Sequence, residues 1–267
     1  MALLAPSWPI SILVAASLAA GAGCDAPAPA APRVRVAAAS DLERAMPILA
    51  AAFKQERGME VDTTLGASGQ LAEQVRQGAP FDVFLSANRG FVDRLVRSGS
   101  IRADSVRPYA QGKLVIVINP IFGLKVRTMD DLKGEKIKSI AIANPETAPY
   151  GMAAKQALER AKLWDALKPK LVPAESVRQA LQFVESGNAE VAFVGRALAD
   201  SPGLEVVPLP ADACDPIIQV LGLVELPGGR RPEAQAFADF LLGETGQGIL
   251  RDLGFAKVPA PPAAGVR

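Results

Sequence analysis

Val34-Arg35-Val36-Ala37-Ala38-Ala39-Ser40-Asp41-Leu42-Glu43 reads as a short buried strand that stops abruptly and opens at once into a helix. Ser40 stands where an N-cap is expected, and Glu43, three residues on, completes an S-x-x-E capping box. The helix is predicted from Asp41 to about Gln55, with Leu42, Ala45, Met46, Leu49 and Phe53 at helical spacing, and Gly58 ends it. A helix that starts directly from a strand end turns unpaired backbone N–H groups into the crevice above the sheet. Such a crevice suits an anion.

The same strand-turn-helix rhythm continues outward from this stretch. Glu60 to Leu65 is a strand, Gly66-Ala67-Ser68-Gly69 a tight turn, and Gln70 to Gln77 a helix; Phe81 to Ser86 and Gly90 to Ser98 repeat the pair. Lys113 to Asn119 and Ile217 to Val224 are long apolar runs, each predicted to cross between two lobes. Between them lie the strand Ser139 to Ile142, a helix from Tyr150-Gly151 to about Lys162, a helix from Val177 to Glu185, and the strand Glu190 to Val194. The expected class is α/β, with a first lobe of residues 33–112 and 218–256, a second of 113–217, and a binding cleft between them.

Composition narrows the function. The 267 residues are 49% hydrophobic, enough for two lobes with their own cores, and the formal charge of +1 without basic runs argues against nucleic acid. The chain has no histidine, which excludes a Ser-His-Asp triad, a Cys-His pair and any His-ligated zinc or iron. No S-x-x-K occurs, and only Tyr109 and Tyr150 are available for a tyrosinate site. No cofactor is expected. A hydrolase or transferase using Ser40 with Asp41 or Glu43 is disfavoured, since the chain has neither a His nor a Ser-Lys motif to activate the nucleophile.

Residues 1–23 carry no charge and centre on Ile10-Ser11-Ile12-Leu13-Val14, which suits an export signal. Gly21-Ala22-Gly23-Cys24-Asp25 resembles the cleavage box of bacterial lipoproteins, with Gly21 where that box ordinarily has Leu. The resemblance implies lipidation of Cys24 and, with Asp25 next, retention at the inner membrane. Residues 24–32 then form a Pro/Ala spacer, and 257–267 a loose tail. A disulfide between Cys24 and Cys214 is not expected, because Cys24 sits in the leader.

Four helix starts share one chemistry, at Ser40-Asp41, Ser68-Gly69, Tyr150-Gly151 and Ser176-Val177. Each N-terminus carries roughly half a positive charge, so four together nominally offset a dianion without Lys or Arg. Ser40 and Ser68 also hold hydroxyl protons to donate. A site made of donors favours a fully deprotonated anion, since a protonated one needs an acceptor facing it. Singly these are ordinary residues: a serine cap, a G-x-x-G without the Lys-Ser/Thr of a P-loop, a packing tyrosine, an apolar Val177, and Asp82 as a partner of loop backbone.

Ala37-Ala38-Ala39-Ser40-Asp41-Leu42, Gly66-Ala67-Ser68-Gly69-Gln70-Leu71-Ala72 and Gly78-Ala79-Pro80-Phe81-Asp82-Val83-Phe84-Leu85-Ser86-Ala87 resemble successive motifs of the periplasmic molybdate-binding proteins of ABC transporters. Pro149-Tyr150-Gly151-Met152-Ala153-Ala154 and Pro173-Ala174-Glu175-Ser176-Val177-Arg178-Gln179-Ala180-Leu181 are similar to that family's later motifs, in the same order. The likeness spans Arg33 to Phe255. It implies a two-lobed type II periplasmic binding protein fold that closes on molybdate or tungstate and hands it to an ABC permease, as a monomer. By position, Ser40 and Ser68 supply hydroxyl and backbone donors, with the Asp41 N–H as an extra one. Tyr150 and Val177 supply chiefly backbone N–H groups, and the molybdenum is reached only through its oxygens. Some members place a Tyr near the end of the later strand, where this chain has Val194 before Gly195; whether Tyr150 replaces that hydroxyl is left to the structure. Rival readings are another tetrahedral oxyanion such as sulfate, and an anion-sensing domain.

Overall fold

The computed structural model describes residues 32–229 and 231–258. The expected export signal, Cys24, nearly all of the spacer and the end of the tail lie outside them.

The chain opens with β1 (Arg33–Ala39), whose Val34, Val36 and Ala38 are fully buried, and a single 3-10 turn at Ser40–Leu42. Then come α1 (Ala45–Arg57), β2 (Glu60–Gly66), α2 (Ser68–Arg76), β3 (Val83–Ser86) and α3 (Arg89–Arg97). Leu42, Ala45, Met46, Leu49 and Phe53 are all buried, as their spacing requires, and Gly58 stops α1 in the left-handed conformation. The predicted capping box does not form. Ser40 lies inside the 3-10 turn, no side chain caps either it or α1, and the carboxylate of Glu43 pairs with Arg178 instead. Attraction to a guanidinium outcompetes a bond to one backbone N–H.

The passage between lobes also differs from expectation. β4 (Arg107–Gly112) belongs to the first sheet and β5 (Leu114–Ile118) to the second, so the crossing is made at Lys113 alone. β4 escapes a hydrophobicity reading because Pro108, Gln111 and Gly112 break its apolar pattern. The second lobe continues with β6 (Ile140–Ala143), α4 (Pro149–Arg160), the short α5 (Trp164–Leu167), β7 (Leu171–Ala174), α6 (Val177–Glu185), β8 (Val191–Gly195) and β9 (Glu205–Pro208). The chain returns before Ile217. The whole of β10 (Ile217–Leu223) pairs within the first sheet, so the second apolar run does not itself cross, and Ile217 sits opposite Gly112. Helices α7 (Pro232–Leu242) and α8 (Glu244–Asp252) complete the first lobe.

The two sheets have one plan. The first runs β2-β1-β3-β10-β4, the second β7-β6-β8-β5-β9. In each, three parallel strands are followed by an antiparallel strand, β10 or β5, that lies directly after an interlobe passage. Phe53 of α1 packs against Phe237 and Phe240 of α7, with ring centroids 5.3 Å away in both cases. Each such ring is worth about 1.5–3 kcal/mol on burial, so this cluster holds the two ends of the discontinuous lobe together. Parallel order places the C-terminal ends of β1, β2, β6 and β7, and the helical turns that follow them, at the cleft.

Candidate functional site

The four strand-to-helix junctions meet around one small pocket. Ser40, Asp41, Ser68, Tyr150 and Val177 all line it, together with the small side chains of Ala39, Ala67, Ala87 and Ala148. It is closed from solvent: Ser40 is 5% exposed, and the other four of those five 3% or less. A larger cleft beside it is open to solvent and lined by charges of both signs, among them Arg89, Glu146, Lys155 and Glu159; Ala87 and Pro149 form the partition.

Each junction gives its residue a different job. Ser68 is the first residue of α2, and its Oγ accepts the backbone N–H of Ala87 at 3.1 Å, which leaves its own proton free to donate. Ser40 Oγ makes no hydrogen bond among the described residues. Its helix start is one 3-10 turn, so three full helices, not four, aim their N-termini at the cavity. α4 begins with Pro149, which has no N–H, and Tyr150 therefore carries the first usable donor of that helix. Val177 opens α6 behind Ser176, whose side chain accepts from Gln179 N at 3.2 Å; this cap forms as its spacing suggests.

Tyr150 turns its hydroxyl to Asp41. Its ring lies over Gly195 at 3.0 Å from where a Cβ would stand, and a Cβ on Gly112 would collide with its hydroxyl. The OH donates to Asp41 Oδ2 at 3.0 Å, across the lobe boundary. Gln219 Nε2 donates to the same Oδ2 at 2.5 Å, and Tyr109 OH to Gln219 Oε1 at 3.2 Å. Oδ1 of Asp41 is buried and has no hydrogen-bond partner among the described residues. Burial pushes the Asp41 carboxyl up to about 7, against the hydrogen bonds from Tyr150 and Gln219. Burial, with Asp41 alongside, also carries both tyrosines well above the usual phenol range.

Asp41 was expected to contribute a backbone N–H; its carboxyl is the larger finding. Gln219 and Tyr109 escape a sequence reading, although a Gln inside the apolar run Ile217 to Val224 is a usable signal. Gln219 adjoins a register shift in the pairing of β10 with β4, and such bulges re-aim side chains. Asp82 has the structural role expected of it, binding the Arg35 backbone and guanidinium and pairing with Arg231.

Further interlobe bonds flank the cavity. Gly69 N donates to Thr147 O at 2.8 Å, and a Cβ at Gly69 would stand only 2.7 Å from that oxygen, so the approach requires glycine. On the other flank Arg178 pairs with Glu43 and with Glu185 at 2.6 Å, while Arg44 reaches Ala197 O at 3.1 Å and Asp200 at 3.3 Å. The lobes are closed. Among the described residues no cluster of acidic and Cys side chains is arranged to hold a metal ion, and Cys214 is a half-buried free thiol.

Residues 34–256 match the family of bacterial extracellular solute-binding proteins. The molybdate-binding protein of Azotobacter vinelandii is 37% identical over 260 residues, covering 93% of this chain and 98% of the relative. That of Escherichia coli is 34% identical over 84% of this chain and 88% of the relative. A solved structure of the Azotobacter vinelandii periplasmic molybdate-binding protein superposes with a TM-score of 0.78 at 30% identity, covering 85% of this chain and all of that one.

Proposed function

This chain belongs to the family of bacterial extracellular solute-binding proteins, and from that premise we propose that it is the component of an ABC importer that captures molybdate, with tungstate as an equivalent ligand. One observation supports the ligand class most directly. The cavity between the closed lobes is lined by hydroxyl groups and helix N-termini, without a Lys or Arg. Fixed neutral donors of this kind suit a compact, fully deprotonated dianion.

In this reading Ser40 and Ser68 donate their hydroxyl protons from the first lobe, and the backbone N–H groups of Tyr150 and Val177 donate from the second. Binding needs both halves, so the ligand favours the closed arrangement over the open one, and closure removes it from water. Nothing here performs chemistry. Delivery then requires a permease that reopens the lobes.

Calorimetry and thermal shift with molybdate, tungstate, sulfate and phosphate test the proposal. At a ligand concentration a hundred times Kd the fold gains about 2.7 kcal/mol. No shift with molybdate or tungstate sinks the reading, and a larger one with sulfate replaces it by that of a sulfate-binding protein. We also propose that the mature protein is exported and tethered to the inner membrane through lipidated Cys24. Cys24→Ser is then released from membranes, whereas a wild-type chain already free in solution refutes the anchor.

A further inference from the structure

We propose that Asp41 enters the site as a neutral carboxylic acid whose Oδ1–H donates to the bound oxyanion, so that the protein takes up one proton with each dianion. The inference deepens the molybdate reading and rests on it. It starts from an oddity of placement: a pocket otherwise built to attract an anion holds a carboxyl group and no cation.

The hydrogen bonds around Asp41 decide which oxygen carries the proton. Oδ2 accepts from two donors, Tyr150 OH at 3.0 Å and Gln219 Nε2 at 2.5 Å. An oxygen with two donors aimed at it is the carbonyl-like one. Oδ1 is buried without any partner, so the proton belongs there, and as an O–H it has no acceptor until a ligand arrives. An oxyanion supplies that acceptor. No described protein group satisfies that buried atom, and a bound oxyanion does.

The ionised form has the opposite fate. A carboxylate enclosed in the same cavity as a dianion repels it through a medium that screens poorly. The surroundings offer no compensation. Arg178, which α6 brings to this turn, is committed to Glu43 and Glu185, and Arg44 to Asp200. The titratable groups facing the carboxyl are Tyr150 from α4 and Tyr109 from β4, the latter through Gln219; burial keeps both neutral through the range where Asp41 changes charge. The end of β2 that lines the pocket brings only Gly66, and β10 brings the neutral Gln219. Burial among these protein groups sets the Asp41 carboxyl at about 7, and a bound dianion drives that value higher.

The sign follows from proton counting. Below about pH 7 the closed protein already carries the proton, and affinity there is flat. Above it, binding must draw a proton from solvent, and affinity falls about tenfold per pH unit. Molybdate itself stays fully deprotonated throughout that range, so the slope reports the protein.

Titration calorimetry of the full chain with sodium molybdate, at about pH 8.5 in two buffers of different ionisation enthalpy, counts the protons directly. Uptake approaching one per anion is expected, together with a Kd that weakens with pH. In Asp41→Asn the amide Nδ2–H stands in for the acid O–H, so binding continues with no proton uptake and no pH slope. Infrared spectroscopy supplies a second readout that needs no variant: molybdate added at the same pH brings up the C=O band of a protonated carboxyl. Zero uptake with tight binding overturns this inference alone. A chain that binds molybdate at no pH removes the reading beneath it.

Discussion

The two lobes are built to one plan and used in two ways. Each sends two strand-to-helix junctions to the cavity: β1 with its 3-10 turn and β2 with α2 from the first lobe, β6 with α4 and β7 with α6 from the second. The first lobe places Ser40, Asp41 and Ser68 there, and the second places Pro149, Tyr150 and Val177. One wall therefore offers side-chain donors. The other offers backbone N–H groups, and its one polar side chain, Tyr150, is spent on Asp41. Similar topology supplies the geometry, and the residues at the junctions decide what each wall presents to the pocket.

The largest effect should come from stripping the side-chain wall. Ser40→Ala with Ser68→Ala removes two hydroxyl donors to a charged ligand, each worth about 1.5–3 kcal/mol. Together they should weaken molybdate binding by about 10² to 10⁴-fold in calorimetry, at about 1.4 kcal/mol per decade. The fold should survive, because neither serine caps a helix. Ala87 N–H does lose its acceptor, a cost of about 1–3 kcal/mol in urea unfolding. Unchanged affinity would place recognition elsewhere.

Asp41 makes the first lobe the unstable partner as well as the selective one. Its folded pKa of about 7 lies well above that of an ordinary aspartate, about 3.9. Below both values the group is neutral in either state and carries no penalty. As pH rises from about 4 to about 7 the unfolded chain ionises first, and stability is lost; the loss is complete above that range. Roughly three units at 1.36 kcal/mol each is on the order of 4 kcal/mol. The ligand-free Asp41→Asn protein should therefore unfold at higher urea than wild type at about pH 8, and the two should converge near pH 4. A difference that stays constant across that range refutes the assignment.

What could be read from the chain alone follows the same division. The strand-helix rhythm and the residues at the four junctions are legible because they are local: buried strand, small residue, helix start. Gln219 is not, since its contact with Asp41 spans 178 residues and its direction is set beside a bulge in β10. The S-x-x-E pattern at Ser40 misleads for a related reason. It identifies a helical start correctly, but Glu43 finds a stronger partner in Arg178, brought from the other lobe by tertiary structure. The two crossing runs mislead because hydrophobic length shows that a strand is buried without showing which sheet it joins.

The backbone wall can be tested without touching a side chain that matters. Val177 occupies the first position of α6, where proline is tolerated, and Ser176 before it already has the extended conformation, φ −142° and ψ 165°, that a following proline requires. Val177→Pro deletes one N–H and should cost about 1.5–3 kcal/mol, ten- to a hundredfold in Kd. Val177→Ala keeps the N–H and should change affinity by less than about threefold. A larger loss from alanine than from proline would show that the second lobe recognises through side chains after all.

The smallest effect belongs to the bond that joins the walls from outside. Arg178 pairs with Glu43 across the boundary, with side chains 31% and 37% exposed, so screening by water and salt limits the pair to at most about 1 kcal/mol. It stabilises closure without touching the cavity. Arg178→Ala should then lower affinity by no more than about fivefold, through faster release, and the difference should shrink in high salt. Stopped-flow release of molybdate at two ionic strengths measures this. A loss beyond a hundredfold would mean that Arg178 acts on the anion itself, and the second lobe would then supply charge as well as backbone.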